Sequence, residues 1–101
     1  MSIETYFTEN NTVLVIRING VFDFSLLNEF RKSYDDISLK SHKIVIDMRN
    51  TTTINSSALG MLLNMQRTLN KADRDIRIIN CNQDVKKVFS ITHFDKKFAI
   101  A

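Results

Sequence analysis

A short amide and two hydroxyls stand directly ahead of the most leucine-rich segment of this chain: Asn55, Ser56 and Ser57 precede "ALGMLL". Two kinds of chemistry fit residues of these types at a helix start. A short polar side chain there accepts hydrogen bonds from the free amides of the first turn and caps the helix, and Asn55 or Ser56 suits that role. A hydroxyl in the same place can also carry a phosphate, because a helix N-terminus favours added negative charge. A phosphoserine brings about −1.5 to −2 charges and a strongly hydrated group. A protein docked beside it would be displaced without unfolding the domain. A phosphate on Ser56 would be locally tolerated, because free amides point at it.

Nucleophilic catalysis asks for more. A serine nucleophile needs a base that a third group orients. His42 and His93 are the only histidines. His42 precedes a strand and falls at the end opposite the serine loop, and His93 follows the last helix with no acid partner. There is no glycine-rich phosphate loop and no G-x-S-x-G. The chain therefore reads as a non-enzyme. The acidic pairs Asp35–Asp36 and Asp73/Asp75 are sparse and suit solvated helix ends rather than a metal site. No cofactor is expected. Cys81 is the only cysteine, so no internal disulfide and no cysteine-based zinc site can form, which suits a reducing compartment.

The elements that position the serines have ordinary globular composition. The 101 residues are 44% hydrophobic and 25% charged, which fits a single domain spanning 1–101 and argues against disorder. Net charge is +3, and the basic residues do not cluster beyond the pairs Lys86–Lys87 and Lys96–Lys97. A nucleic-acid groove needs a denser basic stripe with interleaved aromatics. The polar start "MSIETYFTENN" lacks the apolar core of a signal peptide. No apolar run approaches the ~20 residues that span a bilayer. The expectation is a cytoplasmic protein with no nucleic-acid, membrane or small-molecule partner.

Periodicity gives the order strand, strand, helix, strand, helix, strand, helix. Residues 3–8 and 12–18 form a hairpin, and Asn19–Gly20 breaks the second strand. Leu26, Leu27, Phe30, Tyr34 and Ile37 mark a helix over 25–39, capped by Asp23 or Ser25. "KIVIDM" (43–48) carries an unalternating apolar run and reads as a central strand buried on both faces. Residues 49–55 read as a polar loop, 56–72 as the strongest helix, 75–81 as a strand and 83–91 as a helix. "FAI" near the C-terminus is either a short strand or an unstructured end. The fold class is α/β: a mixed sheet of an initial hairpin plus parallel strands, with helices packed on it.

On a wheel, the helix 56–72 shows an apolar arc of roughly 200°, wider than the ~100° stripe a core-facing helix needs. One edge, at Met61 and Met65 or at Leu63, is left either for the surface, where methionine suits an adaptable interface, or for cover by the C-terminal segment. Gly60 falls on the polar face with Ser57, Asn64 and Arg67. It costs about 1 kcal/mol relative to alanine there, and a small residue lets another backbone approach.

The stretch "KIVIDMRNTTTINSSALGMLL" resembles the core of STAS domains, in particular the bacterial anti-sigma factor antagonists. That family places an apolar–Asp–apolar strand before a loop, then Asp–Ser–Ser/Thr–Gly–Leu/Ile–Gly opening a helix. Here these are "VIDM" and Asn55–Ser56–Ser57–Ala58–Leu59–Gly60. "RINGVFD" resembles the family's Gly–x–apolar–Asp turn, and "INCNQDVKKVFSITHFDKKF" its last strand and helix. The likeness runs from about residue 12 to residue 98.

The resemblance implies a partner-switching regulator. The unphosphorylated form binds a protein, a serine kinase that doubles as an anti-sigma-like factor phosphorylates Ser56 and releases it, and a PP2C-type phosphatase resets it. The resemblance also makes Ser57 the second choice for the phosphate and gives Asp23 a supporting recognition role; with the helix reading, the expected partner-binding surface is Asp23, Asn55, Ser57, Gly60, Met61 and Asn64. Asn55 and Ala58 depart from the family's acid and glycine and mark a divergent member. Two other readings stand beside it. One is a constitutive STAS scaffold or accessory subunit whose serines only cap the helix. The other is a nucleotide or lipid binder, for which the sequence offers no phosphate cradle.

Overall fold

A computed structural model describes residues 2–8, 12–35, 43–69 and 76–101. Its strands are β1 (Ser2–Thr8), β2 (Val13–Phe22), β3 (Lys43–Asp47), β4 (Thr51–Ile54), β5 (Ile76–Ile79) and β6 (Ala99–Ile100). Its α-helices are α1 (Leu27–Asp35), α2 (Ser56–Thr68) and α3 (Gln83–Ile91), with 3₁₀ turns at Phe24–Leu26 and Phe94–Lys96.

The sheet order is β1-β2-β3-β5-β6, with β4 paired to β2. β1 and β2 form the expected antiparallel hairpin, and β2–β3, β3–β5 and β5–β6 are parallel. The steps from β2 to β3, β3 to β5 and β5 to β6 all move the same way across the sheet. Right-handed crossovers stepping in one direction place their helices on one face. The core agrees: Phe30 and Tyr34 of α1, Ala58, Leu62 and Met65 of α2, and Val85 and Phe89 of α3 share one cluster with Leu14, Ile16, Ile44, Ile46, Ile76 and Ile78. Phe89, Phe94 and Phe98 stack within it at centroid spacings of 5.9 and 5.7 Å.

The register carries Tyr6, Val15, Val45 and Arg77 across the opposite face. Val15 is buried there, Val45 is half-buried, and Tyr6 and Arg77 are exposed. β3 is thus central by order, but the expectation of burial on both faces is corrected. Its apolar run reflects the middle of a sheet whose helices lie on one side.

Three further expectations change. Asn19–Gly20 does not end β2. The strand runs on to Phe22, and Gly20 (φ 86°) absorbs a register shift that glycine tolerates best. The loop at 49–55 contains β4: residues 20–22 of β2 pair in parallel with 51–54, after residues 13–17 have paired with 43–47. The first helix starts as a 3₁₀ turn, and α1 ends at Asp35 within the described residues. The expected helical positions 36–39 and 70–72, with Ile37, His42, Asp36, Asp73 and Asp75, lie outside the described residues. At the C-terminus, the open choice resolves to the strand β6, paired with β5.

Candidate phosphorylation and docking site

A buried carboxylate anchors the turn between β3 and β4. Asp47, 1% exposed at the end of β3, accepts from the Arg49 backbone N–H at 3.0 Å and from Asn80 Nδ2 at 3.0 Å. Its other oxygen takes Arg49 Nε at 3.0 Å and Arg17 Nε at 3.3 Å. Burial pushes the Asp47 carboxyl up, but the hydrogen bonds from Asn80 and Arg49 and the Arg49 charge outweigh it. The group is held below the usual carboxylate range. The turn after Asp47 therefore follows one path into β4.

β4 is fixed on two sides. Thr51, buried, donates its hydroxyl to the Ile18 carbonyl at 2.7 Å, beside the register shift that interrupts the backbone ladder. Asn82 donates its side-chain amide to the carbonyls of Thr51 (3.2 Å) and Thr52 (3.0 Å), while its oxygen caps α3 at the Val85 N–H, 2.8 Å. The parallel register then pairs Phe22 with Ile54, and the Asn55 N–H donates to the Phe22 carbonyl at 3.3 Å. That bond brings Asp23 and the serine turn to the same end of the sheet.

Asp23 is the cap of the 3₁₀ turn. Its Oδ1 accepts from the Ser25 hydroxyl at 2.5 Å and the Ser25 N–H at 2.9 Å, and these two bonds lower its pKa. Asn55, not Ser56, caps α2: its backbone is extended, and its Oδ1 accepts from the Ala58 N–H at 3.3 Å and the Ser57 hydroxyl at 2.6 Å. The choice left open between Asn55 and Ser56 is decided by this geometry. Ser56 is exposed at the first helical position, and its hydroxyl makes no hydrogen bond among the described residues. The first intrahelical bonds to the Asn55 carbonyl come from Ala58 (3.1 Å) and Leu59 (3.4 Å), so the Ser56 and Ser57 amides have no intrahelical partner.

Beside the serines lies a groove of about 320 Å³ between the 3₁₀ turn and α1 on one side and α2 on the other. Phe24, Leu27, Phe30, Arg31 and Tyr34 line it from the first side, and Ser57, Gly60, Met61 and Asn64 from the second. Burial pushes the Tyr34 phenol up, against the Arg31 charge and a hydrogen bond with Asn64. Ser57, Gly60, Met61 and Asn64 of the expected partner surface thus line one groove, and Asp23 and Asn55 flank it in sequence and register.

The open choice at the methionine edge resolves to burial, while Leu63 on the other edge is half-buried. Met65 is 0% exposed and Met61 5% exposed, and both belong to the core. A one-faced sheet needs a wide apolar arc from the helix that crosses its centre, and that uses the width of α2. Met61 contributes to the groove's floor rather than to an exposed patch.

The STAS domain family matches this chain over residues 3–101. The chain belongs to the STAS domain family. It is 36% identical to a STAS-domain containing protein of Pseudomonas aeruginosa over 88 residues, 87% of each chain. Among solved structures it is similar to the anti-sigma factor antagonist SpoIIAA in its unphosphorylated form, with a TM-score of 0.78 and 20% identity over 99% of this chain and 88% of that one. SpoIIAA of Bacillus in its phosphorylated form gives a TM-score of 0.70 and 17% identity over 99% and 91%. An anti-sigma factor antagonist from Mycobacterium paratuberculosis gives 0.75 and 21% over 98% and 85%. At these identities the likeness to the solved structures is one of fold.

Within this STAS domain, several residues that build the site take roles that residue type and spacing along the chain do not reveal. In the sequence Asp47 is visible only as part of the strand motif, because its pairing with Arg17 spans 30 residues. Asn82 and Thr51 meet across 31 residues. Phe24 and Arg31 are polar-face or pre-helix positions that only the approach of α2 turns into groove walls. His93, exposed with φ 61°, opens the last 3₁₀ turn rather than a site. Among the described residues no group of three or more acidic, histidine or cysteine side chains could hold a metal, and no helix is long and apolar enough to cross a membrane.

Proposed function

We propose that this STAS domain is a partner-switching regulator controlled at Ser56. The observation that carries the reading is the division of labour at the start of α2: Asn55 does the capping, Ser57 is tied to Asn55, and Ser56 presents an unbonded, exposed hydroxyl beside free first-turn amides. A phosphate on Ser56 is favoured by the helix N-terminus and places a hydrated anion next to the groove. The unphosphorylated form docks a protein partner there, a serine kinase of the anti-sigma type adds the phosphate and ends docking, and a PP2C-type phosphatase removes it. That SpoIIAA has been solved in phosphorylated and unphosphorylated forms supports the reading by likeness of fold.

The test is intact-mass analysis after co-expression with the cognate serine kinase. Wild type gains one phosphoryl group, Ser57→Ala gains it too, and Ser56→Ala does not. In pull-downs Ser56→Ala keeps the partner, and Ser56→Asp loses it. Equal capture by wild type and both Ser56 variants, with no heavier species, leaves a constitutive scaffold instead.

A further inference from the structure

The groove between α1 and α2 is shaped for something these residues do not themselves supply. A Cβ built on Gly60 would meet nothing within 4 Å, so intramolecular packing gives no reason for a glycine at an exposed helical position. Glycine is nonetheless among the poorest helix formers. Phe24, 64% exposed, stands in water against the groove's apolar floor of Leu27, Phe30 and Met61. Arg31 on the groove makes no ion pair among the described residues, whose ion pairs both involve Asp47.

We propose that this groove is the anchor pocket for a partner protein, whose docking segment inserts one apolar side chain over Gly60 against Met61 and Phe24 and sets a carboxylate on Arg31. The proposal rests on the reading of this face as the switching surface and gives that partner its chemistry. The guanidinium fork matches a carboxylate in bidentate fashion, and among the described residues no acidic side chain lines the groove to compete. A protein is the better occupant than a small molecule. The volume lies at the low end of ligand pockets, about 300–1,000 Å³. Aromatic and arginine side chains around a small pocket are the usual anchors of a protein interface. The same chemistry explains release. An acidic segment seated beside Ser57 meets like charge as soon as Ser56 carries a phosphate.

The test uses the ¹⁵N-labelled full chain and two probes: 3-phenylpropionate, an apolar ring with a carboxylate, and its neutral amide. Both give shifts confined to residues 24–34 and 57–64, with Kd on the order of millimolar for so few atoms. Gly60→Met fills the notch. It keeps the fold with a raised Tm, and it weakens both probes about tenfold or more. Arg31→Gln weakens the carboxylate probe about fivefold and leaves the amide unchanged. Shifts scattered elsewhere, or equal binding by wild type and Gly60→Met, overturn the proposal. Submicromolar binding of either probe overturns it as well, since that marks a small-ligand pocket. Because the probes need no kinase, loss of the Ser56 reading and loss of the anchor pocket register separately.

Discussion

The Ser57 hydroxyl donates to the Asn55 side-chain oxygen at 2.6 Å, and the same oxygen accepts from the Ala58 N–H at 3.3 Å. One atom therefore caps α2 and restrains the second serine. Asn55→Ala loses both bonds and should cost about 1 kcal/mol in urea unfolding. Asn55→Asp keeps the acceptor and adds a charge that the helix N-terminus favours, raising stability by about 0.3–1 kcal/mol. Once Ser56 is phosphorylated, like charge at Asp and phosphate should cancel that gain, which a melt of the modified protein reads directly.

Asp47 predicts an acid-side loss of stability. Its folded pKa is depressed, so the fold favours the carboxylate, and the stabilisation is complete above the unfolded value of about 3.9 and disappears as pH falls through the folded value. Removing one partner of a fully buried ion pair costs about 3–5 kcal/mol. Here the Arg17 and Arg49 side chains are 24% and 55% exposed and can recover water, so Asp47→Asn should cost about 1.5–3 kcal/mol near pH 7. Urea titrations across pH should show the gap between wild type and variant closing below about pH 4. A gap independent of pH contradicts the assignment.

Thr51→Val keeps the shape and deletes the hydroxyl that serves the Ile18 carbonyl. That buried acceptor beside the register shift is then unsatisfied, at about 1–3 kcal/mol. Thr51→Ser keeps the donor and should recover most of the loss in chemical denaturation. Amide exchange should show residues 51–54 opening more readily in the valine variant than in the serine one.

Met65→Ala should lower stability by about 2–5 kcal/mol, because Met65 is wholly buried and its truncation removes core contacts and leaves a cavity. A polar residue at 65 should prevent folding rather than merely weaken docking. Circular dichroism melts separate this from a surface role, which would leave the transition unmoved.

Much of this fold was legible in the chain. The helix 83–91 has the same bounds in sequence and structure, because Val85, Val88 and Phe89 mark one face; Val85 and Phe89 are buried and Val88 is half-buried, while the Asn82 cap shows only in the structure. The hairpin and the parallel strands 43–48 and 75–81 followed from β-branched runs and from the right-handed rule. The C-terminal pair Ala99–Ile100 stayed open because a strand of two residues has no period to read. β4 is hidden for another reason: "TTTI" looks like a polar loop, and it becomes a strand because β3 pairs with β2 only as far as Arg17 and leaves residues 20–22 as an edge for 51–54. The choice between surface and core for Met61 and Met65 stays open in the sequence because a helical wheel shows the width of an apolar arc but not how many neighbours share it.

The sequence by itself determined the α/β class, the position of the hydroxyls at a helix start and the family motif around them, since these depend on residue type and spacing along a few consecutive turns. Tertiary structure alone decided that Asn55 caps while Ser56 stays unbonded, that Asp23 arrives beside them, and that Phe24, Arg31 and Gly60 share a groove. The physical reason is separation. Arg17–Asp47, Thr51–Ile18 and Asn82–Thr51 join residues 30, 33 and 31 positions apart, and such contacts exist only after the sheet register and the crossovers have fixed which segments meet.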